Sequence, residues 1–216
     1  MTDFVTLRRM MVDTQVRPSD VTKFPIIDAM LRVPRELFVP DEVKDAAYVG
    51  RNIELGGGRV VLDPRTFAKM LDALNVDGDD LVLDIGSAQG YSAAVIARIA
   101  EAVVAVEDDE ELAGEALPLL MEHADNVIQH TGSLAEGAPQ HGPYDAIVIE
   151  GGIEQLPETI AGQLKDGGRI ACIFMDGALG TVKVGWKIDG AITWRFSFNA
   201  TAPVLTGFEK EVAFAL

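Results

Sequence analysis

Residues 81–91 read Leu-Val-Leu-Asp-Ile-Gly-Ser-Ala-Gln-Gly-Tyr. Leu81 to Ile85 is an apolar run broken only by Asp84, the pattern of a strand buried on both faces. Gly86 to Gly90 reads as a turn and Tyr91 to Ala100 as a helix. A strand, a glycine-bearing turn and a helix in that order form the opening unit of an open α/β sheet, whose ligands bind beyond the carboxyl ends of the strands. The glycine spacing is Gly-x-x-x-Gly, not the Gly-x-Gly-x-x-Gly of dinucleotide binders.

The same alternation continues on both sides. Pro64 opens a helix that runs to about Asn75. Strands are expected over Ala102–Val106, Asn126–Thr131, Tyr144–Ile149 and Arg169–Phe174, with helices over Glu110–Glu122 and Leu156–Leu164. Strands that alternate with helices predict a mostly parallel, doubly wound sheet covered on both faces. The alternation then breaks. Val182–Ile188 and Ala191–Phe198 flank Asp189-Gly190, a strong hairpin signal, and Glu211–Phe214 is a last candidate strand. Trp186 and Trp194, one on each arm, are expected to pack across the hairpin. Ahead of the sheet, Phe4, Leu7, Met10, Met11 and Val12 approximate one helical face, Val21 to Leu31 a second helix, and Pro34 and Pro40 bracket a short piece. Gly56-Gly57-Gly58 reads as a flexible loop.

The chain has 216 residues, 48% of them hydrophobic, enough for one domain with a sizeable core and too apolar for disorder. Acidic residues outnumber basic ones 34 to 18, for a formal net charge of −16. That charge argues against nucleic acid or an anionic membrane as a partner. The excess lies in residues 52–216, which hold 26 acidic and 10 basic side chains; residues 1–51 hold eight of each. The division suggests an N-terminal helical extension over 1–51 and a cofactor-binding α/β core over 64–216, within a single domain spanning 1–216. Cys172 is the only cysteine and reads as a core residue. No apolar stretch approaches the ~18 residues of a membrane helix, and the N-terminus lacks the apolar segment of a signal peptide. A cytoplasmic protein without a membrane partner is expected. His123, His130 and His141 show no metal-site spacing, and no metal site is expected.

The candidate site gathers at the strand ends. Gly86 and Gly90, with Ser87 and Tyr91, form the turn and the start of a helix whose free N–H groups suit an anionic group. Glu107 closes the second strand about 20 residues on, where a carboxylate can hold both ribose hydroxyls; with Asp108 it also belongs to an acidic run that can simply be solvated. Ser133 and Leu134 follow the third strand, either against an adenine ring or in an ordinary loop. Glu150 ends the fourth strand, either facing the methionine end of a cofactor or standing in solvent. The arrangement resembles Rossmann-like class I methyltransferases that use S-adenosylmethionine, which the glycine spacing and the closing antiparallel hairpin favour over nicotinamide enzymes.

A narrower resemblance is carried by Met11-Val12 with Gln15-Val16-Arg17, by Ala29-Met30 leading into Val33-Pro34-Arg35-Glu36-Leu37-Phe38-Val39-Pro40, and by Ala47-Tyr48. With Val82–Gly86 through Gly90-Tyr91, Val106-Glu107, Glu111-Leu112, Tyr144–Ile147 and Gln163–Arg169, these residues resemble the protein-L-isoaspartate O-methyltransferases. The resemblance implies methyl transfer from S-adenosylmethionine, leaving S-adenosylhomocysteine, to the carboxylate of an isoaspartyl residue in a damaged protein, as protein repair.

The sequence also departs from that pattern. The family's Gln-x-Ile-Ser followed by a small residue and Pro is Arg59-Val60-Val61-Leu62-Asp63-Pro64 here. Leu62 stands at the family's serine and offers no hydrogen bond, so the motif supplies no catalytic residue. Val60 stands at the usual threonine, Ser133 at the middle of Gly-Asp-Gly, and Ala88 at the middle glycine of the loop. Arg59, Val60 and Leu62 are the expected substrate-facing residues. Arg59 either draws in a substrate carboxylate or lies on the surface. Three readings remain: a carboxyl methyltransferase for isoaspartyl proteins or peptides, a methyltransferase for a small carboxylic acid, and a cofactor-binding homologue that serves as a sensor or interaction protein.

Overall fold

The computed structural model describes residues 2–210. Asp3 caps the first helix, α1 (Phe4–Met11), by accepting from the Thr6 N–H. The chain continues through a wide turn at Val12–Val16 and a 3₁₀ turn at Arg17–Ser19. Met10 does not share the apolar face: it is exposed while Met11 and Val12 are buried. Phe4, Leu7 and Met11 follow the i, i+3, i+7 spacing of one helical face, which Met10 does not share. Helix α2 (Phe24–Arg32) carries Pro25 in its first turn. Two further 3₁₀ turns, Arg35–Leu37 and Asp41–Ala46, lead to a small hairpin of β1 (Ile53–Gly56) and β2 (Arg59–Val61). The three glycines expected as a loop are its turn, all at positive φ, where side chains are strained.

Helix α3 (Pro64–Leu74) is capped by Asp63 and closed by Asn75 in the left-handed region. Then come β3 (Leu81–Ile85), α4 (Tyr91–Ile96), β4 (Ala102–Glu107), α5 (Glu110–His123), β5 (Val127–Thr131), β6 (Tyr144–Ile153), α6 (Glu158–Gln163), β7 (Leu164–Asp176), β8 (Leu179–Ile188) and β9 (Ala191–Asn199). Helix α4 is shorter than the expected Tyr91–Ala100 because Arg98 and Ile99 bond three residues back, tightening the last turn. Helix α6 starts only after Pro157, whose extended backbone precedes it.

The central sheet has the order β5-β4-β3-β6-β7-β8-β9. Strands β5 through β7 are parallel, and β8 and β9 add antiparallel. This is the doubly wound, mostly parallel sheet with a closing hairpin that the alternation predicted. Successive residues feed opposite faces. Val82, Val103, Ala105, Ala146 and Val148 pack with the N-terminal Met11, Val12, Met30 and Phe38. Leu83, Ile85, Val104, Val106, Ile147 and Cys172 pack on the other side with Leu205 and Phe208.

Asp189 and Gly190 both take positive φ at the β8–β9 turn, as a tight hairpin requires. The two tryptophans do not meet. Trp186 lies opposite Thr193 and Trp194 opposite Gly185, which sends the indoles to opposite faces. Trp194 packs on Phe174 at 4.8 Å, and Arg195 lies over Trp186. After β9 the chain returns to the site. Gly152 N–H donates to Pro203 O at 2.7 Å, and Leu205 N–H to Gly152 O at 2.9 Å. The strand expected at Glu211–Phe214 lies outside the described residues.

Candidate active site

Strand order reverses between β3 and β6, and ligands of open α/β sheets sit at such a switch point. The turn Gly86–Gly90 lies there. Gly86 and Gly90 have φ of 78° and 91°, and a Cβ on Gly90 would come within 3.1 Å of Leu120. Ala88 takes φ 50°, an uncommon conformation for a residue with a Cβ. Its N–H donates to Glu107 Oε2 at 2.8 Å, which fastens the turn to the end of β4. Every residue from Val82 to Gly90 is buried.

Glu107 is fully buried. Besides Ala88, its carboxylate accepts from the backbone N–H groups of Asp108 and Asp109 at 3.0 and 3.1 Å. Its remaining partner comes from 48 residues upstream: Arg59 Nε donates to Oε1 at 2.9 Å, and Arg59 Nη2 donates to Asp108. Arg59 is only 4% exposed, so it is not a surface residue. The carboxylate it meets is the chain's own. Burial pushes the Glu107 carboxyl above the usual range while Arg59 pulls against it. Burial also opposes the charge on Arg59, but Glu107 and Asp108 outweigh it.

Two more acids lie beneath the turn. Asp84 is fully buried and pushed up to about 7 by burial, against a hydrogen bond from Ser92 Oγ at 2.6 Å and with the Glu107 charge adding to the shift. Glu150 does not end its strand. Strand β6 continues to Ile153, and its register against β7 shifts between Val148 and Gly152, so Glu150 sits inside a bulge. It is buried, and its Oε1 has no partner among the described residues. Burial, then the Asp84 charge, raise its pKa well above the carboxylate range, with Arg35 opposing.

Arg35 was not a sequence candidate for the site, although a charge within the proline-bracketed string 33–40 was the available signal. It is fully buried. Nε donates to Ala47 O and Nη2 to Leu62 O, both at 2.7 Å, and the guanidinium lies 4.7 Å from the centre of the Tyr91 ring. Leu62, at 1% exposure, and Val60 are buried and line the crevice. Leu134 is buried and Ser133 exposed. Leu205 fills the space beside Gly86, 3.2 Å from where a Cβ would stand. The crevice, lined by Val60, Leu62, Phe67, Gly86, Tyr91 and Glu150 among others, encloses about 10 Å³. That is the room of one water molecule. Among the described residues no three His, Cys, Asp or Glu side chains form a metal-holding group, and no helix is long and apolar enough to cross a membrane.

The family model for protein-L-isoaspartate(D-aspartate) O-methyltransferase matches residues 8–180. The chain belongs to the protein-L-isoaspartate O-methyltransferase family. A relative of that name from Pelotomaculum thermopropionicum is 36% identical over 164 residues, which are 76% of this chain and 72% of the relative. Another from Rhodopseudomonas palustris is 37% identical over 170 residues, 78% of this chain and 69% of the relative. In solved structures the same fold appears in a protein-L-isoaspartate O-methyltransferase with TM-score 0.79 at 24% identity, where the match covers 94% of this chain and 65% of the other. It appears again in the Plasmodium falciparum protein solved with S-adenosyl-L-homocysteine, with TM-score 0.79 at 18% identity and coverage of 95% and 99%.

The protein-L-isoaspartate O-methyltransferases are S-adenosylmethionine-dependent enzymes, and in this chain the glycine turn is bonded to a strand-end carboxylate at the switch point of the sheet. The space does not fit that donor. The part of the crevice beside Gly86, Tyr91 and Glu150 encloses about 10 Å³, against about 300–1,000 Å³ for pockets that hold ligands of that size, and the Glu107 carboxylate is already occupied by Arg59.

Proposed function

We propose that this chain is a carboxyl O-methyltransferase that acts on isoaspartyl residues of damaged proteins, with Gly86, Ser87, Gly90, Tyr91, Glu107, Asp108, Ser133, Leu134 and Glu150 on the donor side and Val60 and Leu62 on the acceptor side. The reading is carried by the bond from the Ala88 N–H to Glu107 Oε2, which joins the glycine turn to the strand-end carboxylate at the switch point of the sheet. An isoaspartyl carboxylate is already ionised at neutral pH, so the acceptor needs no general base, and the absence of a serine at position 62 removes a positioning donor rather than the nucleophile. What the protein supplies is alignment and a site without water. Tyr91, Phe67 and Leu62 provide apolar walls. Glu150, whose carboxyl burial pushes well above its ordinary value, stands beside them. A cytoplasmic address is part of the proposal and accords with one buried, free cysteine, the usage of a reducing compartment.

The second reading, a fold kept for binding or sensing without isoaspartyl chemistry, is favoured by one observation: Leu62 is buried where the family places its serine. Labelled S-adenosylmethionine with an isoaspartyl peptide and its aspartyl isomer separates the two. Base-labile label on the isoaspartyl peptide alone supports repair. No label from folded protein overturns it, and label on small acids alone moves the substrate class to metabolites.

A further inference from the structure

The pairing of Arg59 with Glu107 occupies the carboxylate at the end of β4. Glu107 Oε1 already takes three donors: Arg59 Nε, Asp108 N–H and Asp109 N–H. Oε2 takes one, from Ala88. A carboxylate offers about four acceptor positions in all. All four are taken, and the departure of Arg59 frees one of them for a ribose hydroxyl. Arg59 is buried, its Nη1 has no partner among the described residues, and its charge opposes that of the acid at the end of β4. The strand that carries it, β2, is buried along its length and packs into the core, while the turn of its hairpin is open. Strands β1 and β2 form their own two-stranded sheet, apart from the central one. Their turn, Gly56 to Gly58, stands in open space, with no heavy atom within 4 Å of a Cβ added at any of the three.

We propose that Arg59 is an internal competitor for Glu107, so that the methyl donor engages that carboxylate only when the guanidinium turns away from it. The inference rests on the methyltransferase reading. It makes Arg59 the residue that sets donor affinity, through Glu107 and Asp108. Charge-assisted hydrogen bonds are the strong class, so removing this competitor strengthens donor binding by at least about tenfold, a difference of 1.4 kcal/mol.

The experiment is a calorimetric titration of S-adenosylhomocysteine into the wild-type chain, Arg59→Gln and Arg59→Lys, each checked by thermal melting. Glutamine removes the charge; lysine keeps it but loses the two-pronged geometry. At least tenfold tighter binding by Arg59→Gln, with Arg59→Lys between it and the wild type, is the expected result. Equal affinity in all three overturns the competition and leaves the donor reading standing. No binding by any folded form overturns both. If Arg59→Gln fails to fold, Arg59→Lys decides: affinity above that of the wild type supports the competition, and unchanged affinity overturns it.

Discussion

Replacing Arg59 by Met strips a buried carboxylate of its one charged partner among the described residues. The two side chains are 4% and 0% exposed and bonded at 2.9 Å, so solvent cannot take over the role of the guanidinium. Removing one partner of a buried pair costs about 3–5 kcal/mol. Glu107 keeps three backbone N–H donors, which places the loss at the low end, about 3 kcal/mol. An ordinary domain tolerates this and still folds. Glu107→Gln alone leaves Arg59 buried with Asp108 as its one acid, and the double variant removes both charges. The cycle should therefore show a coupling of about 2 kcal/mol between the two sites. Urea unfolding followed by the fluorescence of Trp186 and Trp194 measures all four proteins, with an unchanged m-value as the check that only stability moved. A loss below about 1 kcal/mol for Arg59→Met, the range of an exposed pair, together with no coupling, would refute the buried pair.

Two other predictions concern the same crevice. Asp84 holds its proton to about pH 7 in the folded chain and to about 4 when unfolded. The native state thus binds more protons between those values, and stability falls as pH rises from about 4 to about 7. Asp84→Asn should reduce that slope by up to about 1.4 kcal/mol per pH unit, leaving the part due to Glu150 and Glu107; melts at pH 4.5, 5.5 and 6.5 measure it, and an unchanged slope would count against the buried acid. Leu62→Ser restores the family's residue at a position 1% exposed. The lost side chain should cost about 2–5 kcal/mol, read as a lower urea midpoint, and a neutral effect would mean that Leu62 is not in the packed wall.

The sheet was legible because its strands are continuous apolar runs separated by helical segments, and because Gly86 and Gly90 punctuate the first turn. Glu107 was legible by its place at a strand end. The β1–β2 hairpin was not: its strands are four and three residues long, too short for alternation to register, and three glycines read equally well as a loop. The partner of Arg59 was illegible for a different reason. It lies 48 residues away, and only the folding of the hairpin over the end of β4 brings the two together. Glu150 was placed in the correct strand but at its end, because a bulge that prolongs the strand through Gly151 and Gly152 leaves no period in the sequence. The tryptophans show the same limit. Their register places each opposite a small residue, and a shift between Val182 and Lys183 is not visible in composition.

Methyl transfer tests the whole account most directly. Labelled S-adenosylmethionine at a low, fixed concentration would be offered with an isoaspartyl peptide to the wild-type chain and to Arg59→Gln side by side. The account predicts base-labile label on the peptide from both, with the greater initial rate from Arg59→Gln. No label from either folded protein would contradict it.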